Sequence, residues 1–228
     1  LKSSEKINGP SFEIEAGLFA RGHRYIAGID EAGRGALAGS LLVGMCVYDC
    51  SMFDKPVIDA MRAINDSKML SGGKRREILS VIHTYAYTAE YCEMSAAEVD
   101  ALNVNGATCE AVKRLLLKTK VPVDCVIMDG NFKFKLNIPF IPVIKGDSKS
   151  ISIASASIVA KVTRDDMISS LDGKYPAYGF AVHKGYGTAM HREAILRHGG
   201  SDIHRKTYEP LRSMLLNAAG SPEGARMS

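Results

Sequence analysis

Three short apolar runs in the chain end in acids. Ile26-Ala27-Gly28-Ile29 leads into Asp30 and Glu31, Val126-Ile127-Met128 leads into Asp129, and the run from Phe140 to Ile144 is followed by Lys145-Gly146-Asp147-Ser148. A carboxylate at the end of a buried strand is costly unless a cation or a hydrogen-bond donor compensates it. Any one of these acids alone reads as a turn or capping residue; three acidic strand ends together do not. If the ends lie side by side, four carboxylates converge on one point, the all-oxygen ligand set that Mg²⁺ or Mn²⁺ prefers. Two such ions can activate a water and neutralise a leaving oxygen, which is the chemistry of phosphodiester hydrolysis.

Groups suited to phosphate surround these acids. Gly33-Arg34-Gly35 offers exposed backbone N–H groups and close approach of another backbone, and Asp66-Ser67-Lys68 offers a hydroxyl and an ammonium. Lys133, Lys135, Lys145, Lys149 and Lys161 form a local basic stretch. Four of the six histidines lie between His183 and His204, among Lys184, Arg192, Arg197, Arg205 and Lys206. Their spacing fits no HExxH or paired-ligand template, and solvated or phosphate-facing rings are expected. Asp165 and Asp166 follow Arg164, where a structural ion pair is the expectation. The five cysteines include no CxxC pair and read as small buried thiols, not as a soft-metal site.

These residues need a scaffold. Tyr25 to Ile29 and Leu41 to Tyr48 read as two adjacent strands joined by a glycine-rich turn. A helix is expected from Ser71, with Ile78, Val81, Ile82 and Tyr85 on its buried stripe, and alternation at Tyr85, Tyr87, Ala89 and Tyr91 then predicts a strand. Ser95 and Glu98 form a capping box before a helix near Asn103 to Lys118 that buries Cys109, Val112, Leu115 and Leu116. Val123 to Met128 and Phe140 to Ile144 predict two further strands, and Ile151 to Leu171 a long helix whose small residues permit close packing. The order of elements predicts an α/β or α+β domain with a helical C-terminal end.

At 228 residues, one domain with a modest appendage is the default. A composition of 46% hydrophobic and 24% charged residues supports a buried core, and a net charge of +4 excludes a polybasic tail-like binder without excluding nucleic acid. No apolar run reaches membrane-span length and residues 1–10 lack an apolar signal core, so the chain reads as cytoplasmic.

The segments Gly28 to Gly35, Asn65 to Lys68, Met128 to Asn131, Lys145 to Ser148, Ala154 to Asp165, Tyr178 to Phe180 and His183 to Thr188 together resemble the bacterial type 2 ribonuclease H family. The likeness runs from about Tyr25 to Arg212. It implies an α/β fold with a ribonuclease H-like mixed sheet flanked by helices and a small helical C-terminal extension. The implied division is 1–24 as an N-terminal extension, 25–172 as the catalytic domain and 173–217 as a helical substrate-binding part, while the Gly, Ser, Pro and Ala content of 218–228 predicts a disordered tail. The implied activity is cleavage of the RNA strand of RNA/DNA hybrids and on the 5′ side of a lone ribonucleotide in duplex DNA, using two Mg²⁺ or Mn²⁺ ions; with no clamp-binding peptide seen near the C-terminus, a monomer is the working expectation. By matching positions, Asp30, Glu31, Asp129 and Asp147 would be the catalytic, metal-binding carboxylates. Gly33, Arg34 and Gly35 would read the 2′-hydroxyl, and Tyr186 would stack on the next sugar and favour deoxyribose. Ser67, Lys68, Asn131, Ser148, His183 and Lys184 complete the implied substrate contacts. Ala36 and Ser40 stand where many relatives carry proline.

Two other classes fit parts of the pattern. An actin-like kinase also places Asp and a Gly-rich turn after a strand, but needs two such domains. A non-catalytic nucleic-acid-binding module would need only the basic stretch.

Overall fold

The computed structural model describes residues 9–52 and 72–220. They divide into two compact units: 9–32, 42–52, 72–93 and 108–163 in the first, and 33–41, 94–107 and 164–220 in the second. The units interleave along the chain, unlike the simple division at residue 172 expected from sequence. The reason is local. Residues 33–41 hydrogen-bond to the C-terminal part of the chain, with Leu37 N–H on Gly185 O at 2.8 Å, Gly39 N–H on Ile203 O at 2.8 Å and Arg205 N–H on Leu37 O at 2.9 Å.

The first unit is built on a five-stranded mixed sheet of order β3-β2-β1-β4-β5, comprising β1 (Tyr25–Ala32), β2 (Leu41–Asp49), β3 (Thr88–Met94), β4 (Cys125–Asp129) and β5 (Phe140–Val143). β1 is antiparallel to β2 and parallel to β4, and β4 is parallel to β5. Every residue of β2 is buried, as befits a central strand covered on both faces. Helix α1 is Glu13–Phe19, α2 Gly72–Tyr85, α3 Ala96–Lys118 and α4 Ile151–Ser170. Ile78 and Ile82 face the core as expected, but Tyr85 is exposed. The Ser95–Glu98 capping box closes in both directions, at 2.8 Å from Ser95 N–H to Glu98 Oε2 and 3.2 Å from Glu98 N–H to Ser95 Oγ. Asn103 interrupts α3 with φ 54° and ψ 166°. Cys109 and Leu116, expected on its buried face, are only half-buried; Ala107 and Ala111 join Val112 and Leu115 there instead.

Helix α4 lies directly on the sheet. A Cβ at Gly28 would sit 2.2 Å from the Ser152 carbonyl carbon, and one at Gly44 would sit 2.3 Å from the Ala156 carbonyl oxygen. Glycine on the strands and Ala or Ser on the helix together bring the backbones this close.

The N-terminal segment is part of this core. Phe12 and Leu18 are buried. The fully buried Glu15 Oε1 accepts from Ser150 Oγ at 2.6 Å, Ser152 N–H at 3.0 Å and Ser152 Oγ at 2.6 Å. It serves as the N-terminal cap of α4 from a distant element, satisfying donors a helix start leaves open. Burial raises its carboxyl pKa despite those bonds.

The second unit holds α5 (Phe180–His183), α6 (Ala189–His198) and α7 (Leu211–Gly220). Its core joins Leu37, Ile168, Tyr178, Phe180, Ile195 and Leu211. Helix α7 continues through residues 218–220, where a disordered tail was expected to begin. Cys46, Cys50 and Cys125 are buried and Cys92 and Cys109 half-buried, all as free thiols.

Candidate active site

The parallel pairing of β1 and β4 sets the site. Ile29 is opposite Met128, so Asp30 and Asp129, the next residues, leave neighbouring strands at the same edge of the sheet. Asp129 is in turn opposite Val143 on β5. Asp147 lies in the 3₁₀ turn Gly146–Ser148, and Gly146 N–H donates to Asp129 Oδ1 at 2.6 Å. The carboxyl ends of parallel strands are where open α/β sheets place their ligands.

Side-chain alternation sends Ile26, Gly28 and Asp30 to the face that α4 covers. Asp30 is buried and hydrogen-bonds Ser157 of α4, while its Oδ1 accepts the Glu31 N–H at 2.8 Å. Burial, reinforced by the negative charges of Glu31 and Asp129, pushes the Asp30 carboxyl up to about 8. A carboxyl held so far above its ordinary range among other acids is a site whose electrostatics favour a cation, and an all-carboxylate donor set suits a hard divalent ion. The residues therefore fit a Mg²⁺- or Mn²⁺-type centre. Among the described residues, no group of three or more His, Cys, Asp or Glu is already drawn together as a closed ligand set. Asp30 and Asp129 each turn an oxygen to a backbone N–H instead.

Of the other expected contacts in the first unit, Asn131 and Ser148 are exposed, and Ser148 Oγ donates to Lys145 O at 2.8 Å. Lys133, Lys135, Lys145 and Lys149 are exposed, Lys161 half-buried. Ser67 and Lys68 lie outside the described residues.

In the second unit, Gly33 adopts φ 87°, and its carbonyl accepts from Ala36 N–H at 3.2 Å, closing a turn over Gly33-Arg34-Gly35-Ala36. A proline at 36 would lack that N–H. Arg34 donates to Asn105 Oδ1. Tyr186 is half-buried with its ring over the Arg164 guanidinium, 5.2 Å from the ring centroid. Lys184 turns its ammonium inward to Ser169 Oγ at 2.5 Å and Ala181 O at 2.7 Å.

The histidines depart from expectation. His183, His191 and His204 are buried; only His198 of the four is exposed. His183 Nδ1 accepts from Gly185 N–H at 3.2 Å, so Nε2 donates to Tyr178 O at 2.7 Å. His191 Nδ1 faces the Tyr186 carbonyl at 3.0 Å and must donate there; its Nε2 accepts from His204 Nε2 at 3.1 Å, and His204 Nδ1 accepts Ser201 N–H at 3.0 Å. His183 and His191 thus bond backbone groups of the Tyr186 turn and His204 holds His191, which is why all three are inside. Burial pushes His191 and His204 down to about 4. Their share of stability is full above the ordinary value of about 6.5 and is lost as pH falls toward 4. Asp30 and Glu15, raised by burial, act in the opposite sense, so the pair is best read by NMR. Both imidazoles should remain neutral at pH 5.5, and a normal titration of either would contradict the network.

Sequence reasoning missed Arg164 and Arg205, both fully buried. Arg164 was expected to pair with the neighbouring acids; its three nitrogens instead donate to the carbonyls of Ser40 at 2.9 Å, Lys184 at 2.9 Å and Ala38 at 3.2 Å. A signal existed: Ala156, Ala160, Arg164 and Ile168 share the four-residue spacing of one helix face, and all are buried.

A mixed sheet with helices against it and paired acids at the ends of parallel strands defines a ribonuclease H-like enzyme. The Ribonuclease HII family model matches residues 27–210. The chain is 40% identical over 208 residues to Ribonuclease HII of Chloroflexus aurantiacus, covering 91% of this chain and 97% of that one. It is 42% identical over 212 residues to Ribonuclease HII of Syntrophotalea carbinolica, covering 93% and 97%. The crystal structure of ribonuclease H2 from Pyrococcus horikoshii superposes with a TM-score of 0.72 at 25% identity, covering 86% of this chain and all of that one. The chain belongs to the Ribonuclease HII family and is a metal-dependent endoribonuclease. Among the described residues, no helix is long and apolar enough to cross a membrane.

Proposed function

We propose that this protein hydrolyses the RNA strand of RNA/DNA hybrids and nicks duplex DNA on the 5′ side of a single embedded ribonucleotide, a role suited to removing misincorporated ribonucleotides. The observation that carries this reading is the placement of Asp30 and Asp129 at one edge of adjacent parallel strands, with Glu31 following the first and Asp147 in the turn bonded to the second.

Asp30, Glu31, Asp129 and Asp147 would hold two divalent ions, Mg²⁺ or Mn²⁺, which when bound make a water more acidic and neutralise charge on the departing 3′-oxygen. The protein's own contribution is to hold these carboxylates on rigid strand ends, with Asp30 fixed by Ser157 and the Glu31 N–H. No side-chain nucleophile is required, and the products carry 3′-hydroxyl and 5′-phosphate ends. The 2′-hydroxyl is what separates ribose from deoxyribose at a given position, and backbone groups of Gly33-Arg34-Gly35 would read it. Tyr186 would pack on the following sugar. His183, with both ring nitrogens engaged inside, acts by shaping the turn before Tyr186 and not as a proton carrier. The exposed lysines between 133 and 149 would meet phosphates, so binding weakens as salt rises.

The test is a DNA duplex carrying one ribonucleotide. Nicking at that position is expected with Mg²⁺ or Mn²⁺ and is abolished by EDTA; failure to nick under either metal overturns the reading.

A further inference from the structure

Two buried arginines converge on the glycine turn and bind main-chain carbonyls there. Arg205 Nη1 donates to Arg34 O at 2.9 Å, where Tyr208 Oη also donates at 3.0 Å, and its Nη2 donates to Gly39 O at 3.1 Å. Arg164 holds the carbonyls of Ala38, Ser40 and Lys184 and lies under the Tyr186 ring. Its side chain also fills the space beside Gly33, where a Cβ would come 2.0 Å from Nε. Burying a guanidinium is expensive, and desolvation lowers the pKa of both. Two such groups around one short turn is more than a tight turn needs, since the Gly33–Ala36 hydrogen bond already closes it.

The orientation they impose has a direct consequence. In a trans peptide the carbonyl of one residue and the N–H of the next point in opposite directions. With the Arg34 carbonyl turned inward to Arg205 and Tyr208, the Gly35 N–H is turned outward. A flipped peptide would present a carbonyl in its place, repelling an oxygen acceptor and altering which sugar is favoured. Arg164, by gripping both the loop and the Lys184 carbonyl, fixes the Tyr186 turn against the same loop.

We propose that Arg205 and Arg164 are positioning residues for sugar discrimination: Arg205 locks the Arg34–Gly35 peptide plane so that the Gly35 N–H faces the ribose, and Arg164 fixes the rest of the loop through Ala38 and Ser40 and locks Tyr186 relative to it. This rests on the reading that residues 33–35 recognise the 2′-hydroxyl. Lysine keeps the charge at either position but, as a point donor, cannot bridge several carbonyls in one plane.

The experiment measures binding by Asp30→Asn protein, used so that the duplex is not cut, to a duplex with one ribonucleotide and to the same duplex in all-DNA form. Arg205→Lys and Arg164→Lys are added to that background, and Tyr208→Phe as a milder variant that deletes a single donor to the Arg34 carbonyl. The ratio of the two affinities should fall about tenfold in each lysine variant and by a smaller factor in Tyr208→Phe, the scale of one lost hydrogen bond, while affinity for all-DNA duplex stays unchanged. A merely structural role would weaken both duplexes in parallel and leave the ratio intact, which overturns the proposal. If a lysine variant does not fold, Tyr208→Phe decides by the same ratio. Absence of any ribose preference in the parent protein would overturn the 33–35 reading and the proposal together, whereas a preference untouched by the variants overturns the proposal alone.

Discussion

Replacing Asp30 with Asn should abolish cleavage and yet give a protein that melts at a higher temperature. The carboxyl is buried, faces Glu31 and Asp129, and is pushed up to about 8. Its folded-state pKa exceeds the ordinary value of 3.8, so the folded chain binds the extra proton more readily than the unfolded one. Between those values stability falls as pH rises, and above about 8 the full cost of an ionised Asp30 is present. Asn keeps the shape and the acceptor for Glu31 N–H and Ser157 without the charge. The gain should be on the order of 2 kcal/mol at pH 8 in metal-free buffer, about 4–8 °C for a chain of this length, shrinking to nothing as pH approaches 4. Cleavage should fall by about 10²–10³-fold or more, the scale on which one electrostatic group in a catalytic centre counts. Scanning calorimetry across pH 4–8 beside a cleavage assay checks both halves. A less stable Asp30→Asn chain at pH 8 would refute the picture of a strained carboxyl kept for function.

Gly28→Ala should be the most damaging single methyl in the first unit. Position 28 points at the start of α4, and the added carbon would meet Ser152 and Ile153 backbone atoms at 2.2 and 2.5 Å. No rotamer change relieves a clash with main chain, so the helix must move off the strand. That separates Ile26 and Ile153 in the core and takes Ser157 away from Asp30, two residues further along the same face. A loss of about 3 kcal/mol or more, on the order of 6–12 °C, is expected, with cleavage reduced even at temperatures where the variant is folded. The thermal midpoint together with single-turnover cleavage at 20 °C below it measures this. An unchanged midpoint would contradict the close helix–sheet approach.

Much of this was legible in the sequence for identifiable reasons. The strands leading to Asp30 and Asp129 are short apolar runs ended by acids, and the capping box at Ser95 is a four-residue pattern with one dominant geometry. Helix α4 was visible because a run rich in small residues, with neither Gly nor Pro, extends over 20 residues. What was hidden depends on contacts distant in sequence. Glu15 looks like a surface acid until Ser150 and Ser152 are placed against it, 135 and 137 residues away. His191 and His204 sit among basic residues, which suggested a wet, phosphate-facing strip, whereas the Tyr186 carbonyl holds His191 inside and His191, with Ser201, holds His204. The assignment of residues 33–41 to the second unit is of the same kind, since it follows from backbone bonds to residues 185 and 203–205.

In the proposed reaction, carboxylates on strand ends, with divalent ions, direct water onto the phosphodiester. The chemistry of the cut ends reports which oxygen attacked. A duplex labelled on both sides of a single ribonucleotide should be cut on the 5′ side of that residue, leaving a 3′-hydroxyl that a polymerase extends and a 5′-phosphate on the ribonucleotide. A nick on the 3′ side bearing a 2′,3′-cyclic phosphate would mean that the ribose 2′-oxygen attacked in place of water, and would contradict the account.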